Sequence, residues 1–305
     1  MRDAVAVSRT AVLTDVQWAR LAPLLPSSEG RRGRPFRDNR RVLEGIIYRY
    51  RCGLAWRDVP SEFGPWQTLW KRHRRYSGDG TWDHVLAALL TDADTAGIVD
   101  WAVSVDSTIL RAHQHAATLA RDTGGRIELH ESARRARRDH ALGRSRGGLS
   151  TKIHQLVDGH GRPLVVLLGP GQGGDSPMFP HLMAHLSIAR AGPGRPRTRP
   201  ERLRADKAYS SRAIRRHLRE RRIVAVIPEP ADQQGHRKRR GARGGRPPAF
   251  DRADYRNRNV VERGFCHVKQ WRGLATRYDK LALTFRGGAV LKAIVTWLRA
   301  LGDTP

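Results

Sequence analysis

Two hydrophobic rhythms divide the chain. Up to about residue 95, apolar residues recur at three- and four-residue intervals, the spacing that puts them on one face of an α-helix. Thr14 and Gln17 form a capping-box pair opening a first helix, with Val16, Leu21, Leu24 and Leu25 near one face. Asp38 is placed to cap a second, which carries Val42, Leu43, Ile46, Ile47 and Tyr50. After Gly53 and Pro60, the pair Gly64-Pro65 opens a third. In it Trp66, Leu69 and Trp70 are apolar, while Lys71, Arg72, Arg74 and Arg75 are basic; a fourth helix runs from about Trp82 to Leu90. Short helices ending in a basic one suit a helix-turn-helix reader of DNA. A plain helical bundle with a solvated basic face fits the same pattern.

From about residue 100 the period shortens to two. Val103 and Val105 alternate and predict a strand ending at Asp106. A polar stretch rich in Arg and Gly follows, over residues 117–149. The segments TKIHQLV and RPLVVLLG around Asp158-Gly159 then predict a β-hairpin, with Asp158 as its turn residue. Asp175-Ser176-Pro177 reads as a helix start, Asp175 being the cap. A short strand ending at Asp206, a helix over SRAIRRHLRER and a strand over IVAVIP come next. Residues 231–250 form a low-complexity basic loop, and a last helical region runs from about 255 to 300. The expectation is an α/β chain in two parts: a small all-helical N-terminal domain, residues 1–95, and a mixed-sheet domain, residues 96–305. There is no internal repeat.

Composition narrows the function classes. Hydrophobic residues make up 39% of the 305, enough to bury a core, and the formal net charge is +28. So large an uncompensated charge repels itself unless a polyanion is the usual partner. Arg supplies all but seven of the 57 basic residues, and its planar fork suits phosphate oxygens and guanine edges. Residues 1–95 carry a net charge of +5 and the remainder +23, so the second part must itself hold nucleic acid. Cys52 and Cys266 are far apart and lack metal-ligand spacing, which argues against a disulfide framework or zinc knuckle and fits a reducing cytosol. The longest apolar run, Leu164 to Leu168, is too short for a bilayer, and the N-terminus has no stretch of signal-peptide length. Nucleic acid is therefore favoured over a membrane surface.

Carboxylates are scarce in so basic a chain, so those at strand ends stand out. If the strands ending at Asp106 and Asp206 are neighbours, their carboxylates emerge side by side and repel unless they share a divalent cation. A third carboxylate from a helix across the sheet would complete a site. Two metals about 3.5–4 Å apart can then activate a water or a 3′-hydroxyl for in-line phosphoryl displacement. Glu262 is the best third ligand: Tyr255, Glu262 and Lys269 are spaced by seven and seven and share one helical face, with Arg258 one turn before Glu262. By itself, the pair Arg258 and Glu262 would be an ordinary i,i+4 surface contact.

The segment Tyr255, two residues, Arg258, three residues, Glu262, six residues, Lys269 resembles the Y-(2)-R-(3)-E-(6)-K signature of IS4/IS5-type bacterial insertion-sequence transposases. The blocks at 106–117, 143–154 and 206–211 also resemble that family's catalytic blocks, and the segment from Gly53 to Trp82 resembles the helical domain in front of them, most like the IS5 branch. The likeness spans about residues 13 to 300. It implies an RNase H-like catalytic domain with a metal-binding triad of Asp106, Asp206 and Glu262, two Mg²⁺ (or Mn²⁺) ions, and Arg258 and Lys269 on DNA phosphates. Tyr255 fits a DNA contact or a packing role. His113, His115 and His154 fall in matching blocks, as neighbours of the site or DNA contacts. Trp271 fits the core, or a stack on an unpaired base. The implied enzyme is a bacterial, cytoplasmic, nucleoid-associated transposase. It would bind terminal inverted repeats of double-stranded DNA, cut there and join the 3′-ends to target DNA, as a homodimer because two ends must meet. A non-catalytic DNA-binding protein and a structure-selective nuclease are the other readings; three intact acids argue against the first and the helical N-terminal part against the second.

Overall fold

A computed structural model of the chain describes residues 12–28, 30, 35–118 and 140–302. Most of the polar stretch expected over 117–149 lies outside the described residues. Four helices come first: α1 (Asp15–Leu21), α2 (Asn39–Cys52), α3 (Trp66–Gly78) and α4 (Thr81–Thr95). Thr14 and Gln17 close the capping box as expected, and Asp38 accepts from the amides of Arg40 and Arg41 to cap α2. The remainder is β1 (Ala102–Ala112), β2 (Gly143–Ser145), β3 (Gly148–Val157), β4 (Pro163–Pro170), α5 (Phe179–His185), β5 (Arg202–Arg204), α6 (Arg212–Glu220), β6 (Val224–Val226), α7 (Ala231–Arg239), α8 (Arg252–Tyr255), α9 (Asn259–Lys269), α10 (Arg272–Ala275), β7 (Thr276–Arg277) and α11 (Ala282–Gly302).

The sheet is mixed, as an RNase H-like fold requires. β3 pairs antiparallel with β1 and β4, whereas β5 is parallel to β1 and β6 is parallel to β5. Short β2 and β7 extend β3 and β1. The predicted hairpin is present as β3 and β4. In its turn Asp158 accepts from the amides of His160 and Arg162 and pairs with the Arg162 guanidinium at 2.8 Å.

α11 ties the two sequence regions together. It lies against α3 and α4 on one side and β4 on the other, and nearly all of its residues are buried. Two glycines make the approach close enough: a Cβ at Gly287 would run into Ser77, and one at Gly288 into the Tyr50 ring. Arg286 crosses the layers, donating to both oxygens of Asp83 on α4 and to the Val166 carbonyl on β4. Just before α11, buried Asp279 accepts from Arg49 at 3.0 Å and from the Tyr50 hydroxyl at 3.0 Å. One hydrophobic core accordingly runs from Leu21 and Ile46 through Trp82 and Phe285 to Leu167 and Val105. Among the described residues no helix is long and apolar enough to cross a membrane.

Removing one partner of a buried ion pair strands the other charge. Asp279→Ala is therefore expected to destabilise the protein by about 3–5 kcal/mol, read as a shift of the denaturant midpoint. Tryptophan fluorescence and far-UV circular dichroism should move together. Two separated transitions would show instead that the N-terminal helices fold independently of the sheet.

Candidate active site

The site is set by strand register. β1 and β5 run parallel with Ala102, Val103 and Ser104 opposite Arg202, Leu203 and Arg204. The offset of one hundred residues places Asp106 and Asp206 level with each other, each two residues beyond the last of these pairs. Asp106 does not end its strand: β1 continues to Ala112 because β3 pairs with it as far as Arg111. Asp206 follows β5 and caps the turn after it, accepting from the Ala208 amide at 2.9 Å.

Glu262 reaches the same place from α9. That helix buries Val260, Val261, Gly264, Phe265 and Val268, and it rests on β1 and β3. Glu262 lies on its outer face, half exposed. Arg258 joins the two acids, donating from Nη1 to Asp106 Oδ2 at 2.6 Å and from Nη2 to Glu262 Oε1 at 3.0 Å. Burial nevertheless dominates at Asp106 and raises its pKa to about 6, against the lowering effect of the Ser107 amide and Arg258. Tyr209 reports on the convergence. Its hydroxyl is buried with no hydrogen-bond partner among the described residues, and its pKa is driven up first by burial, then by the charges of Asp175, Asp106 and Asp206.

Asp175, expected as a helix cap in preference to a ligand, is held beside β1 by polar contacts. It makes no side-chain cap; instead its Oδ1 accepts from Ser107 Oγ at 2.6 Å and from Lys152 Nζ at 2.9 Å. Burial alone would raise its pKa, but these two donors bring it below the usual carboxylate range. His154 packs beside it, with Nδ1 3.8 Å from the carboxylate; burial lowers the imidazole's pKa to about 4, so it is neutral there. The signal available in the sequence was Ser107 next to Asp106, and Lys152 and His154 alternating on one predicted strand.

Other expectations divide. Arg72 turns inward: it is buried, donates to Asn39 and to Tyr76, and stacks on Phe36 at 4.0 Å, so it is not presented to a ligand. Lys71 and Arg75 are exposed, and Arg74 lies 5.4 Å from the Trp70 ring. Tyr255 does not share a helix with Glu262. It ends α8, and a 3-10 turn over Arg256–Arg258 breaks the seven-residue register, leaving Tyr255 against Phe250 and Arg258. Lys269 is exposed at the end of α9. His113 and His115 stack on each other beside Tyr278, beyond the far end of β1 from Asp106. Trp271 is a core residue. Both cysteines are free.

Among the described residues, no three His, Cys, Asp or Glu side chains are gathered closely enough to hold a metal ion. The chemistry nevertheless fits one. All the donors are carboxylate oxygens, which suit a hard divalent cation. A half-buried acid whose pKa is raised is relieved by a cation, and the Arg258 guanidinium occupies that role between Asp106 and Glu262.

Comparison with known proteins identifies the family. Residues 13–86 match the family described as "Putative transposase of IS4/5 family", and residues 98–297 match "Transposase DDE domain". An uncharacterized protein of Sinorhizobium fredii is 39% identical over 116 residues, covering 38% of this chain and 88% of that protein. The insertion element IS402 uncharacterized 16.2 kDa protein of Burkholderia cepacia is 36% identical over 108 residues, 33% of this chain and 74% of that protein. The "Putative transposase for insertion sequence element IS6501" of Brucella ovis is 30% identical over 151 residues, half of this chain and all of that protein. No solved structure matches the chain.

The raised pKa of Asp106 has a sign that can be tested. Between about pH 4 and pH 6 the folded protein holds a proton that the unfolded chain releases, so stability falls as the pH rises through that window. In chelator-treated buffer at pH 7, Asp106→Asn should therefore stabilise the protein by about 1–2 kcal/mol, less than the full shift because Arg258 loses a charged partner. At pH 4 the gain should vanish. A variant less stable than wild type at pH 7 would show that the Arg258 bridge outweighs the burial cost.

Proposed function

The chain belongs to the DDE-domain transposases of the IS4/5 type, metal-dependent enzymes of DNA cleavage and strand transfer, and on that premise we propose that Asp106, Asp206 and Glu262 are its catalytic carboxylates. The observation that carries the assignment is the register of the adjoining parallel strands β1 and β5, which brings Asp106 on β1 level with Asp206 just past the end of β5, with Glu262 linked to Asp106 through Arg258. Two Mg²⁺ or Mn²⁺ ions held by these three residues would activate the attacking water or 3′-hydroxyl and stabilise the leaving oxygen.

The remaining steps belong to the chain's own residues. Arg258, which bridges Asp106 and Glu262, would bind a DNA phosphate beside the cut if a divalent cation were held by those acids in its place. Lys269, two turns beyond Glu262 on α9, adds a second phosphate contact. Lys152 of β3 and Ser107, next to Asp106 on β1, both donate to Asp175 and so tie it to the strands beside the site. The proposed division is a helical part, residues 1–95, that helps recognise the terminal inverted repeats, and a catalytic part, residues 96–305. Lys71 and Arg75, exposed on α3, and the partly buried Arg74 offer cations for the first. Arg72 is left out because it is turned into the helical core. Pairing of two element ends calls for a homodimer on DNA.

Asp106→Asn, Asp206→Asn and Glu262→Gln should each lose cleavage and strand transfer of a duplex bearing the element's ends, by on the order of 10³-fold or more, with Mg²⁺ or Mn²⁺. Binding to the ends should persist in all three. A wild-type protein that binds the ends and cuts with neither metal would favour a DNA-binding protein without catalysis.

A further inference from the structure

A second concave surface begins where the carboxylate site ends. After Asp206 the chain turns through Ser210 into α6, which buries Ile214 and Leu218. Arg212, Arg216 and Arg219, spaced by four and three residues, share the opposite, exposed face. Facing them, α7 and the segment after it carry exposed Arg240, Arg243 and Arg246. Between these walls lies a groove of about 690 Å³.

The groove is built by specific contacts. Ser210 Oγ donates to Gln233 Oε1 on α7 at 3.1 Å, while Arg215 donates to Ser210 Oγ at 2.8 Å and to the Ile227 carbonyl at 2.9 Å. Glu229 pairs with Arg237 at 2.5 Å and so anchors α7. Gly244 lets the following turn close onto the Arg237 carbonyl, where a Cβ would not fit. Of the residues lining the groove, Glu229 is the one carboxylate, and its charge is spent on Arg237.

Six guanidinium groups facing one another across a shared groove repel unless a polyanion lies between them. The lining has no Phe, Tyr or Trp on which a base could stack, and the two other groups suited to a base are already engaged, Gln233 by Ser210 and His236 by Arg239. What the groove offers a ligand is therefore guanidinium, whose paired donors fit phosphate oxygens. We propose that the groove between α6 and α7 is a track for the phosphate backbone of duplex DNA on one side of the cut, held regardless of sequence. The choice of DNA as the polyanion rests on the transposase reading; the direction rests on Ser210, which joins the groove to the Asp206 turn.

The test uses the full chain and a random-sequence duplex, with affinity measured by anisotropy across a salt series. The variant Arg212→Gln/Arg216→Gln/Arg219→Gln should lower the slope of log affinity against log salt by about 2–3, since each lost phosphate contact removes about 0.9. The loss should be equal on element-end DNA and unrelated DNA. The matching triple Lys variant, which keeps the charge, should restore most of the slope, and this separates charge loss from misfolding. Asp106→Asn should keep the full slope whether or not it is inactive, so failure of the triad assignment leaves this result standing. An unchanged slope in the Gln variant, a loss confined to element-end DNA, or tighter binding of single-stranded RNA than of duplex DNA would each overturn the proposal.

Discussion

Everything at the candidate site follows from carboxylates held close together in a partly buried place. Parallel pairing of β1 with β5 leaves no freedom about where Asp106 and Asp206 emerge, and α9 brings Glu262 to the same edge. Such acids stay ionised together only when a cation lies among them. Arg258 supplies it to two of the three, whereas among the described residues Asp206 has no ion-pair partner. The same rule operates around the site, with Lys152 on Asp175 and Arg204 on Asp254. Most of these acids have a cation at hand, and much of the remaining positive charge lies on outer faces, where a polyanion can meet it.

The long helix α11 makes that site inseparable from the N-terminal helices. Arg286 touches α4 and β4 at once, and Asp279 joins the approach to α11 to Arg49 and Tyr50 of α2. These contacts are buried, so they cannot be exchanged cheaply for water. On the proposed reading, in which the helices help hold DNA and the sheet cuts it, such a joint fixes the geometry between the two. The exposed cations of α3 then stand at a set position relative to Asp106.

How much of this was legible in the sequence depended on whether apolar residues carried the signal. The hairpin of β3 and β4, the caps of α1 and α2 and the α/β order all rest on period and turn chemistry, and they read directly. Asp106 looked like a strand end because Val103 and Val105 alternate before it, yet the strand persists through polar Ser107 and Thr108 by pairing with β3. α7 looked like a loop because it has no apolar stripe; polar ties from Glu229 and Ser210 hold it instead. Arg72 looked like a surface cation, but tertiary packing gave it Asn39 and Phe36. Asp175 looked like a helix cap because its partners, Ser107 and Lys152, are distant in sequence. Long-range polar contacts leave no periodic trace.

The identity of residue 258 now has a physical reason beyond its place in a spacing pattern. Its side chain must satisfy two carboxylates from different elements at once, and the distances of 2.6 and 3.0 Å come from two different nitrogens of one planar group. A lysine ammonium could reach both oxygens only by placing one nitrogen between them, drawing Glu262 inward and crowding the acids further. The guanidinium keeps them apart while neutralising both. On the proposed reading the same fork matches the two oxygens of a phosphate, so an Arg258 no longer needed by Asp106 and Glu262 would have a new partner and would not be left an unpaired charge. The bridge that stabilises the metal-free site is thus compatible with DNA binding, because the group released is one that DNA can immediately use.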